Sequence, residues 1–178
     1  IIIDEYHYCV GMGKSQKDNI IATKFLNEEV FAGGVLAAAN HLAGFCKNVT
    51  LLSCIGTKND YKAFIASHLK PNIKTHFYYR KDAPTVVKRR FVDPNFLTKL
   101  FEICHLDEKY QIPTDVEDKV ITYLNKNIKK FDMVLVTDFG HGMITPKIKK
   151  FLFLKEFPTD VRHNSKIIRE QLAAVSNR

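Results

Sequence analysis

The 178-residue sequence predicts an α/β fold in one compact domain. Strand-like apolar runs alternate along the chain with segments whose apolar residues recur at helical spacing. Residues 49–55 and 132–138 are continuous runs of β-forming residues, which is typical of strands covered on both faces. Apolar residues make up 46% of the chain, and no apolar run approaches the roughly 20 residues that cross a bilayer. The composition therefore favours a globular chain with a buried core over a disordered or membrane-spanning one.

The first elements are justified by apolar runs and by a pair of glycines. Residues 1–3 are isoleucines and predict the end of a buried strand, and residues 20–31 predict mixed strand and turn. Gly33 and Gly34 precede an alanine-rich run over residues 35–45, whose small side chains suit a helix packed close to a sheet. The sequence therefore predicts a strand followed by a helix that starts at glycine.

The middle of the chain continues this alternation. After the strand at residues 49–55, residues 61–69 predict a second helix. Residues 74–79 and 85–92 are strand-like and are separated by five residues rich in turn formers. We therefore expect these two strands to form an antiparallel hairpin that stands off the main sheet.

The next segment has a well-marked helix start and the clearest strand pattern in the chain. Thr114 and Glu117 have the spacing of a capping box, and apolar residues follow at helical spacing to residue 130. Residues 132–138 then predict a buried strand that leads into a loop. Ligands collect at the carboxyl edge of strands in an open α/β sheet, so this loop is a candidate functional region.

Two more helices are predicted towards the end of the chain. Thr145 is placed to cap a helix whose first residue is Pro146. Residues 164–177 carry apolar side chains on one face and predict an amphipathic helix. No strand is expected between residue 154 and that helix.

The charge of the chain is compatible with several anionic partners. Its 27 Lys and Arg against 19 Asp and Glu give a net charge of +8, which suits nucleic acid, acidic membranes or phosphorylated small molecules. The positive residues cluster at 88–90, 126–130 and 147–150, without the interleaved aromatic pairs of single-strand binders. Solvated faces and helix ends explain these clusters more simply. Nucleic acid is therefore the weakest of the functional hypotheses, and we expect no membrane partner.

The cysteine pattern favours free thiols. No two cysteines have C-x-x-C spacing, and each lies among apolar or aromatic neighbours, as buried free thiols do. They are Cys9, Cys46, Cys54 and Cys104. A reducing, cytoplasmic location is therefore expected. The chain begins with neither an initiator Met nor a signal-peptide stretch, so we expect a fragment of a longer protein.

Three features in the first half of the sequence could bind a ligand. Asp4 follows the first strand, where it could cap a loop or hold a ligand hydroxyl, and its position alone favours the structural role. Gly33 and Gly34 could permit tight packing or let backbone N–H groups approach a polar ligand. Lys88 and Arg90 are two residues apart on one strand, so they share a face and could hold a phosphate, although surface solubility is an equally good explanation.

The loop after residue 138 offers two further candidates. Asp138 and His141 lie in it, and a histidine there could titrate or donate a hydrogen bond, although a structural histidine is more common. The seven histidines and four cysteines show neither H-E-x-x-H nor C-x-x-C spacing. We therefore predict no zinc or other protein-held metal site.

Four motifs occur in a fixed order along the chain. They are Ile3-Asp4-Glu5-Tyr6, Phe31-Ala32-Gly33-Gly34 with Ala39-Asn40-His41-Leu42-Ala43-Gly44, Pro84-Thr85-Val86-Val87-Lys88-Arg89-Arg90, and Val136-Thr137-Asp138-Phe139-Gly140-His141-Gly142. Four ordered motifs are far more specific than any one of them. Together they resemble those of the ribokinase-like (PfkB) carbohydrate kinases, and most closely the kinase domains that act on heptose 7-phosphate in ADP-heptose synthesis. The resemblance covers roughly residues 1–150.

The resemblance implies a fold and a domain organisation. The fold is a ribokinase-like three-layer α/β sandwich with a small β lid, incomplete at its C-terminal nucleotide-binding half. Residues 1–154 would be the N-terminal part of the kinase domain, with lid strands at about 1–31 and 74–105. Residues 155–178 would be a helical segment of the same domain. The lid often pairs two subunits in this family, so a homodimer is expected.

The resemblance also implies roles for individual residues. Asp4, Gly33 and Gly34 would bind the sugar, and Asn40 is the nearest asparagine to one that the family places soon after the glycine pair. Lys88 and Arg90 would hold an anionic group in the lid. Asp138 and His141 would assist near the transferred phosphate, although His141 stands where the family has lysine.

The implied activity is transfer of a phosphoryl group from ATP, with Mg²⁺, to a phosphorylated sugar. A fused or associated nucleotidyltransferase is an expected partner. The family carries its catalytic aspartate in a glycine-alanine-glycine-aspartate turn, and the sequence contains no such turn, so the catalytic base is unknown. A catalytically inactive domain that binds a sugar phosphate is therefore the alternative hypothesis.

Overall fold

The computed structural model describes residues 1–107, 111–145, 159–160 and 163–167. The chain divides into two compact units, Ile1–Thr145 and Pro146–Arg178. In the second unit, two short strands, Thr159–Asp160 and His163–Ile167, pair in antiparallel fashion. All other elements belong to the first unit, and they mix strands and helices, so the α/β prediction is confirmed.

The first unit contains two sheets. In the four-stranded sheet the strand order is β2-β1-β5-β6, and in the two-stranded sheet β3 pairs with β4. The strands β1 and β5 are parallel, as are β3 and β4, whereas β2 and β6 run antiparallel to their neighbours. The strands are β1 (Ile2–Lys14), β2 (Ile21–Gly33), β3 (Val49–Lys58), β4 (Ile73–Pro84), β5 (Val86–Asp93) and β6 (Thr98–His105).

Three α-helices accompany these sheets. They are α1 (Val35–Leu42), α2 (Lys62–His68) and α3 (Thr114–Asn127), the last followed by a 3₁₀ turn at Ile128–Lys130. The predictions of a helix after the glycine pair, of a strand at residues 49–55 and of helices near residues 61–69 and 114–130 are confirmed.

The apolar core joins the first two helices to both sheets. Ile3 of β1 and Val87 of β5 face Leu36 of α1 and Ile65 of α2, and Ile55 of β3 completes the cluster. A second cluster covers β3 with α3 through Cys54, Ile112, Val116 and Val120. Burial of such side chains stabilises by about 25 cal/mol per Å² of apolar surface. The core therefore holds one end of the four-stranded sheet and leaves its distal strand ends outside the core.

The predicted hairpin between residues 74–79 and 85–92 is wrong. The intervening residues belong to β4, which pairs with β3, whereas β5 pairs with β1 and β6. Asp82 in this stretch takes a positive φ of 58°, and the chain passes from one sheet to the other after Pro84. Turn-forming residues do not by themselves specify a hairpin, because proline is also tolerated where a strand leaves its sheet.

The predicted buried strand at residues 132–138 is also wrong. This segment has no strand assignment, and Met133, Val134, Leu135 and Val136 are each about half exposed, between 46% and 52%. A continuous apolar run is buried on both faces only where neighbouring strands pair with it and layers cover it. Among the described residues, no strand pairs with this segment.

Three smaller predictions also need correction. The helix at Thr114 begins where expected, but no side chain caps it, so the capping box does not form. Residues 164–167 lie in a strand rather than in the predicted amphipathic helix, and the strand Thr159–Asp160 precedes it. The pairing of these two strands supplies the backbone hydrogen bonds that a helix would have made. The helix predicted from Pro146 and the rest of the C-terminal helix lie outside the described residues.

The cysteine prediction holds for two of the four residues in full. All four are free thiols, with Cys9 and Cys54 buried and Cys46 half-buried. Cys104 is exposed, because the face of β6 that carries it is not covered by the core. None of the helices in the described part of the chain has the length and apolar character needed to cross a membrane.

Candidate functional site

The alternation of side chains along β1 separates two neighbouring carboxylates. Successive residues of a strand point to opposite faces, so Asp4 and Glu5 lie on opposite sides of the four-stranded sheet. Asp4 pairs with Lys88 in register on β5, and Glu5 pairs with Arg89. We call the side of Asp4 the polar face. The side of Glu5 is the one that packs on the helices.

The polar face is built around a close approach between Asp4 and Gly33. A Cβ atom at residue 33 would lie 2.8 Å from Asp4 Cγ and closer still to its Oδ2. The Asp4 carboxylate therefore occupies the space that a side chain at Gly33 would fill. Gly34 follows with φ 55° and ψ −126°, a backbone conformation that favours glycine, and it forms the N-cap of α1. The glycine pair thus sets both the position of the carboxylate and the start of the helix.

Arg90 fixes the other side of this carboxylate. Its Nη1 donates a hydrogen bond to Asp4 Oδ1, and its Nε donates to Glu102 Oε2 at 2.7 Å. The Tyr6 ring lies 5.3 Å from the guanidinium carbon, a cation–π contact that adds to the two ion pairs. Burial lowers the pKa of Arg90, but Asp4 and Glu102 more than offset this and leave it above its usual value. Arg90 is therefore a firmly held cation between two carboxylates.

Lys88 differs from Arg90 although both lie on the same face of β5. It is half-buried and forms no ion pair with any residue in the described part of the chain. Its charge acts at longer range on Glu102 and on His141, whose pKa values it helps to lower. The polar face therefore presents one cation that is not neutralised by direct contact.

The loop that follows residue 138 lies within electrostatic reach of Lys88. Burial lowers the pKa of His141 below its usual 6.5, and the charge of Lys88 lowers it further, so the imidazole is mainly neutral at pH 7. His141 Nε2 is buried and has no hydrogen-bond partner among the described residues. Asp138 Oδ1 accepts a hydrogen bond from the Gly140 N–H at 3.0 Å. The loop is thus held by its own carboxylate.

His141 also lines a small cavity of about 50 Å³. Arg80 and Thr85 line the same cavity, and Arg80 forms a 2.7 Å ion pair with Asp107. A larger open groove of about 610 Å³ lies between β4 and α3, with His76 and Tyr123 in its wall. None of the predicted site residues lines that groove.

Asn40 is not part of the polar face, and its prediction as a sugar-binding residue is not supported by its contacts. Its Nδ2 donates to the His68 carbonyl at 2.7 Å, and its Oδ1 accepts from the Lys70 N–H at 3.0 Å. Both ends of the amide are therefore used to tie α1 to the C-terminal end of α2. The physical reason is that helix ends leave backbone groups without partners, and an asparagine side chain can satisfy two of them.

Sequence analysis missed two residues that organise the polar face. Glu102 holds Arg90, and Tyr6 lies over its guanidinium. Tyr6 stands two residues after Asp4, so the strand period already placed it on the same face. Glu102 gave no such signal, because its position opposite Arg90 depends on the register of β6 against β5, which includes an irregularity at Phe91 and Val92.

Among the described residues, no group of three or more His, Cys, Asp or Glu side chains could hold a metal ion. The polar face instead offers a half-buried carboxylate, glycine backbone and a lysine ammonium. Such a set can accept hydrogen bonds from hydroxyl groups and attract an anion.

The chain was compared with known proteins by sequence and by structure. No protein-family model matches the chain. Over 154 residues it is 26% identical to the bifunctional protein HldE of Campylobacter jejuni subsp. doylei, across 86% of this chain and 31% of that protein. This chain is similar to HldE proteins. It spans about a third of their length, with 30–31% covered in the matches to C. jejuni and Trichlorobacter lovleyi.

The chain also aligns in part with two solved kinase structures. A Clostridium perfringens protein assigned to the sugar kinases aligns with a TM-score of 0.48 and 17% identity, over 72% of this chain and 46% of that one. The ribokinase of Giardia lamblia aligns with a TM-score of 0.42 and 13% identity, over 71% of this chain and 38% of that one.

Proposed function

We propose that the protein is an ATP-dependent sugar kinase of the ribokinase-like (PfkB) group, acting on a phosphorylated sugar such as heptose 7-phosphate in ADP-heptose synthesis. The observation that carries the proposal is the contact of the Asp4 carboxylate with the backbone at Gly33, fixed from the other side by Arg90. Three parts of the chain that are distant in sequence meet there. The similarity to HldE supports the same proposal.

The proposed roles follow from the chemistry of each group. The Asp4 carboxylate accepts hydrogen bonds from sugar hydroxyls, since an ionised carboxylate is an acceptor with several lone pairs. The Lys88 ammonium attracts the phosphate that the sugar already carries. Asp138 and His141 lie in a loop whose histidine is influenced by the charge of Lys88, and they would face the phosphoryl group that is transferred.

ATP and Mg²⁺ belong to the proposal as the source of the phosphoryl group and its counter-ion. The described residues contain no group of three or more His, Cys, Asp or Glu side chains that could hold a metal ion, so we derive no step through Mg²⁺. The catalytic base is unassigned, because the sequence has no glycine-alanine-glycine-aspartate turn. What the chain's own residues supply is the acceptor side: they bind and orient the sugar.

The decisive experiment is calorimetric titration of heptose 7-phosphate into the full-length protein and its Lys88→Ala variant. We expect the wild type to bind and the variant to lose about tenfold or more in affinity, because a charged hydrogen bond contributes about 1.5–3 kcal/mol. Lys24→Ala on β2 is the matched control and should bind like the wild type. Equal affinity of wild type and Lys88→Ala would remove the role of Lys88, and no binding by the wild type would remove the sugar kinase proposal.

A second candidate function is binding of a sugar phosphate without catalysis. The observation that favours it is His141, which is mainly neutral at pH 7 and stands where the resemblance would place a lysine. A neutral imidazole supplies no positive charge to a transferring phosphoryl group. Incubation of the full-length protein with heptose 7-phosphate and radiolabelled ATP distinguishes the two functions. Transfer of label supports the kinase, whereas tight sugar-phosphate binding without transfer supports the binding domain.

The proposal extends to partners and location. The similar protein is named bifunctional, so we propose a fused or associated nucleotidyltransferase. We also propose a homodimer formed through the four-stranded sheet, which corresponds to the lid of the resemblance. Strands β2 and β6 are its open edges and carry exposed apolar residues such as Ile21, Leu26 and Leu100. The free thiols fit a reducing cytoplasm.

A further inference from the structure

We propose that Arg90 and Glu102 are positioning residues that orient the Asp4 carboxylate, and that Lys88 alone holds the phosphate of the substrate. This inference rests on the proposed function and deepens it. It changes the role that the resemblance gave to Arg90, from a second phosphate ligand to a support for the sugar-binding carboxylate. Glu102 gains a role that neither the sequence motifs nor the comparisons gave it.

The first step of the argument is the charge around Arg90. Its guanidinium is ion-paired with Asp4 through Nη1 and with Glu102 through Nε at 2.7 Å. Two carboxylates and one guanidinium carry a net charge of −1. An incoming phosphate would be repelled by this group as a whole and would have to displace a carboxylate to reach Arg90. Arg90 is therefore a poor phosphate ligand as the structure places it.

The second step is the geometry of the hold on Asp4. The side chains of Asp4 and Arg90 are only 21% and 14% exposed, so both ion pairs are partly shielded from water. One carboxylate oxygen of Asp4 meets Arg90 and the other lies against Gly33. Tyr6 covers the guanidinium at 5.3 Å, which limits its movement further. The carboxylate is thus fixed in one orientation before a sugar arrives, and preorganisation of this kind raises affinity.

The third step is the position of Glu102. It lies directly opposite Arg90 in the register of β5 and β6, and its second oxygen accepts a hydrogen bond from the Cys104 thiol at 3.0 Å. The hydrogen bond from the Cys104 thiol, and then the charges of Arg90 and of the more distant Lys88, hold the pKa of Glu102 below its usual value. Glu102 is therefore charged at pH 7 and holds Arg90 in place.

The fourth step is the contrast with Lys88. It shares the polar face with Arg90 but forms no ion pair with a described residue. Its in-register neighbours on that face are Asp4 and Cys104. A flexible ammonium group beside a fixed carboxylate can meet a phosphate without first breaking an ion pair. Lys88 therefore binds the phosphate, whereas Arg90 acts on the sugar hydroxyls indirectly, by orienting Asp4.

The test compares two ligands, heptose 7-phosphate and the same heptose without its phosphate, in calorimetric titrations of the full-length protein. We expect Glu102→Gln to weaken both ligands by a similar factor of about ten, because it disturbs the carboxylate that both of them use. We expect Lys88→Met to weaken only the phosphorylated ligand. Glu28→Gln, a carboxylate change on the opposite face of the sheet, is the control and should leave both affinities unchanged.

The results separate this inference from the proposed function. If Glu102→Gln tightens heptose 7-phosphate and leaves the unphosphorylated heptose unchanged, Arg90 is a phosphate ligand and the inference is overturned while the sugar kinase proposal stands. If the wild type binds neither ligand, the proposed function fails and the inference fails with it. If circular dichroism shows that Glu102→Gln does not fold, Arg90→Lys replaces it, because lysine keeps the positive charge but cannot pair with both Asp4 and Glu102 as arginine does. Equal weakening of both ligands by Arg90→Lys supports the inference. Weakening of the phosphorylated ligand alone overturns it.

Discussion

At the residue scale, the polar face depends on the absence of one side chain. Gly33 leaves room for the Asp4 carboxylate, and Arg90 holds that carboxylate in the same place. Gly11 provides a contrast in the neighbouring strand, because a Cβ there would meet no atom within 4 Å. The two glycines, in adjacent strands, therefore differ in how much folding stability an added methyl group would cost.

We predict that Gly33→Ala lowers the free energy of unfolding by about 1–3 kcal/mol, the usual cost of forcing an extra group into a packed site. Gly11→Ala is the matched control and should change it by no more than about 0.5 kcal/mol. Urea unfolding followed by circular dichroism measures both. A Gly33→Ala protein as stable as the Gly11→Ala protein would show that Asp4 does not need this space.

On the other face, Glu5 is a buried carboxylate with three polar neighbours. Arg89 Nε donates to its Oε2 at 2.6 Å, His7 lies 3.5 Å away, and the Tyr61 hydroxyl donates to its Oε1 at 3.4 Å. Burial raises the pKa of Glu5, but the hydrogen bond and charge of Arg89, together with His7, lower it more. The net result is a pKa below the usual 4.5.

A depressed pKa makes the charged form of Glu5 part of the folded state's stability. That contribution is present above pH 4.5 and is lost as the pH falls towards the lower pKa of the folded protein. We predict that Glu5→Gln reduces the loss of unfolding free energy between about pH 6 and about pH 3.5. Urea titrations at both pH values measure it, with Asp18→Asn as an exposed control. A wild-type pH slope in Glu5→Gln would show that this network does not set acid stability.

At the scale of elements, the side chains that join helices and strands decide where each element lies. Asn40 joins α1 to the end of α2, and Asn72 Nδ2 donates to the carbonyls of Ala43 and Cys46 just after α1. Both asparagines satisfy carbonyl groups at or beyond helix ends, which water would otherwise have to satisfy. The register of β6 against β5 likewise decides that Glu102 meets Arg90.

We predict that Asn40→Ala lowers the free energy of unfolding by about 1–2 kcal/mol, because it removes two hydrogen bonds to backbone groups. Its affinity for heptose 7-phosphate should stay within about twofold of wild type, because Asn40 is not part of the polar face. A twofold change in affinity is a free-energy difference well under 1 kcal/mol. Urea unfolding and calorimetry give the two values. Asn40→Asp, which keeps the acceptor for the Lys70 N–H, should fall between wild type and alanine in stability. A large loss of affinity in a folded Asn40→Ala protein would restore Asn40 to the sugar site.

At the scale of the whole molecule, the exposed apolar residues concentrate on the edges and turns of the four-stranded sheet. Ile21 is 79% exposed, and Phe96 in the turn between β5 and β6 is 80% exposed. Exposed apolar patches of this kind mark interaction surfaces. The apolar segment at residues 132–138 is also exposed, but no strand in the described part of the chain covers or pairs with it.

We predict that the full-length protein is a dimer in solution and that the double variant Ile21→Glu, Leu26→Glu is a monomer. Two charges placed on an apolar interface would remain buried without partners in the dimer. Light scattering after size-exclusion chromatography measures the mass. Ile128→Glu, an exposed apolar residue outside this sheet, is the control and should leave the dimer intact. A wild-type monomer, or a dimeric double variant, would contradict the proposed interface.

Local sequence signals were enough to predict several elements. The α/β class, the glycine-started helix, the strand at residues 49–55 and the start of α3 follow from periodicity and turn chemistry, which act over a few residues. The motif order also selected Asp4, Gly33 and Arg90, which the structure brings into contact. The shared face of Lys88 and Arg90 needed only the strand period.

Strand pairing and the contacts between distant side chains became known from the folded structure. It separated β4 from β5, left residues 132–138 without a partner strand in the described part of the chain, and turned Asn40 to a structural use. It also placed Glu102 against Arg90, which distinguishes that cation from Lys88. The physical reason is that pairing between strands distant in sequence, and the charge each group meets there, depend on register and packing, which local patterns do not contain.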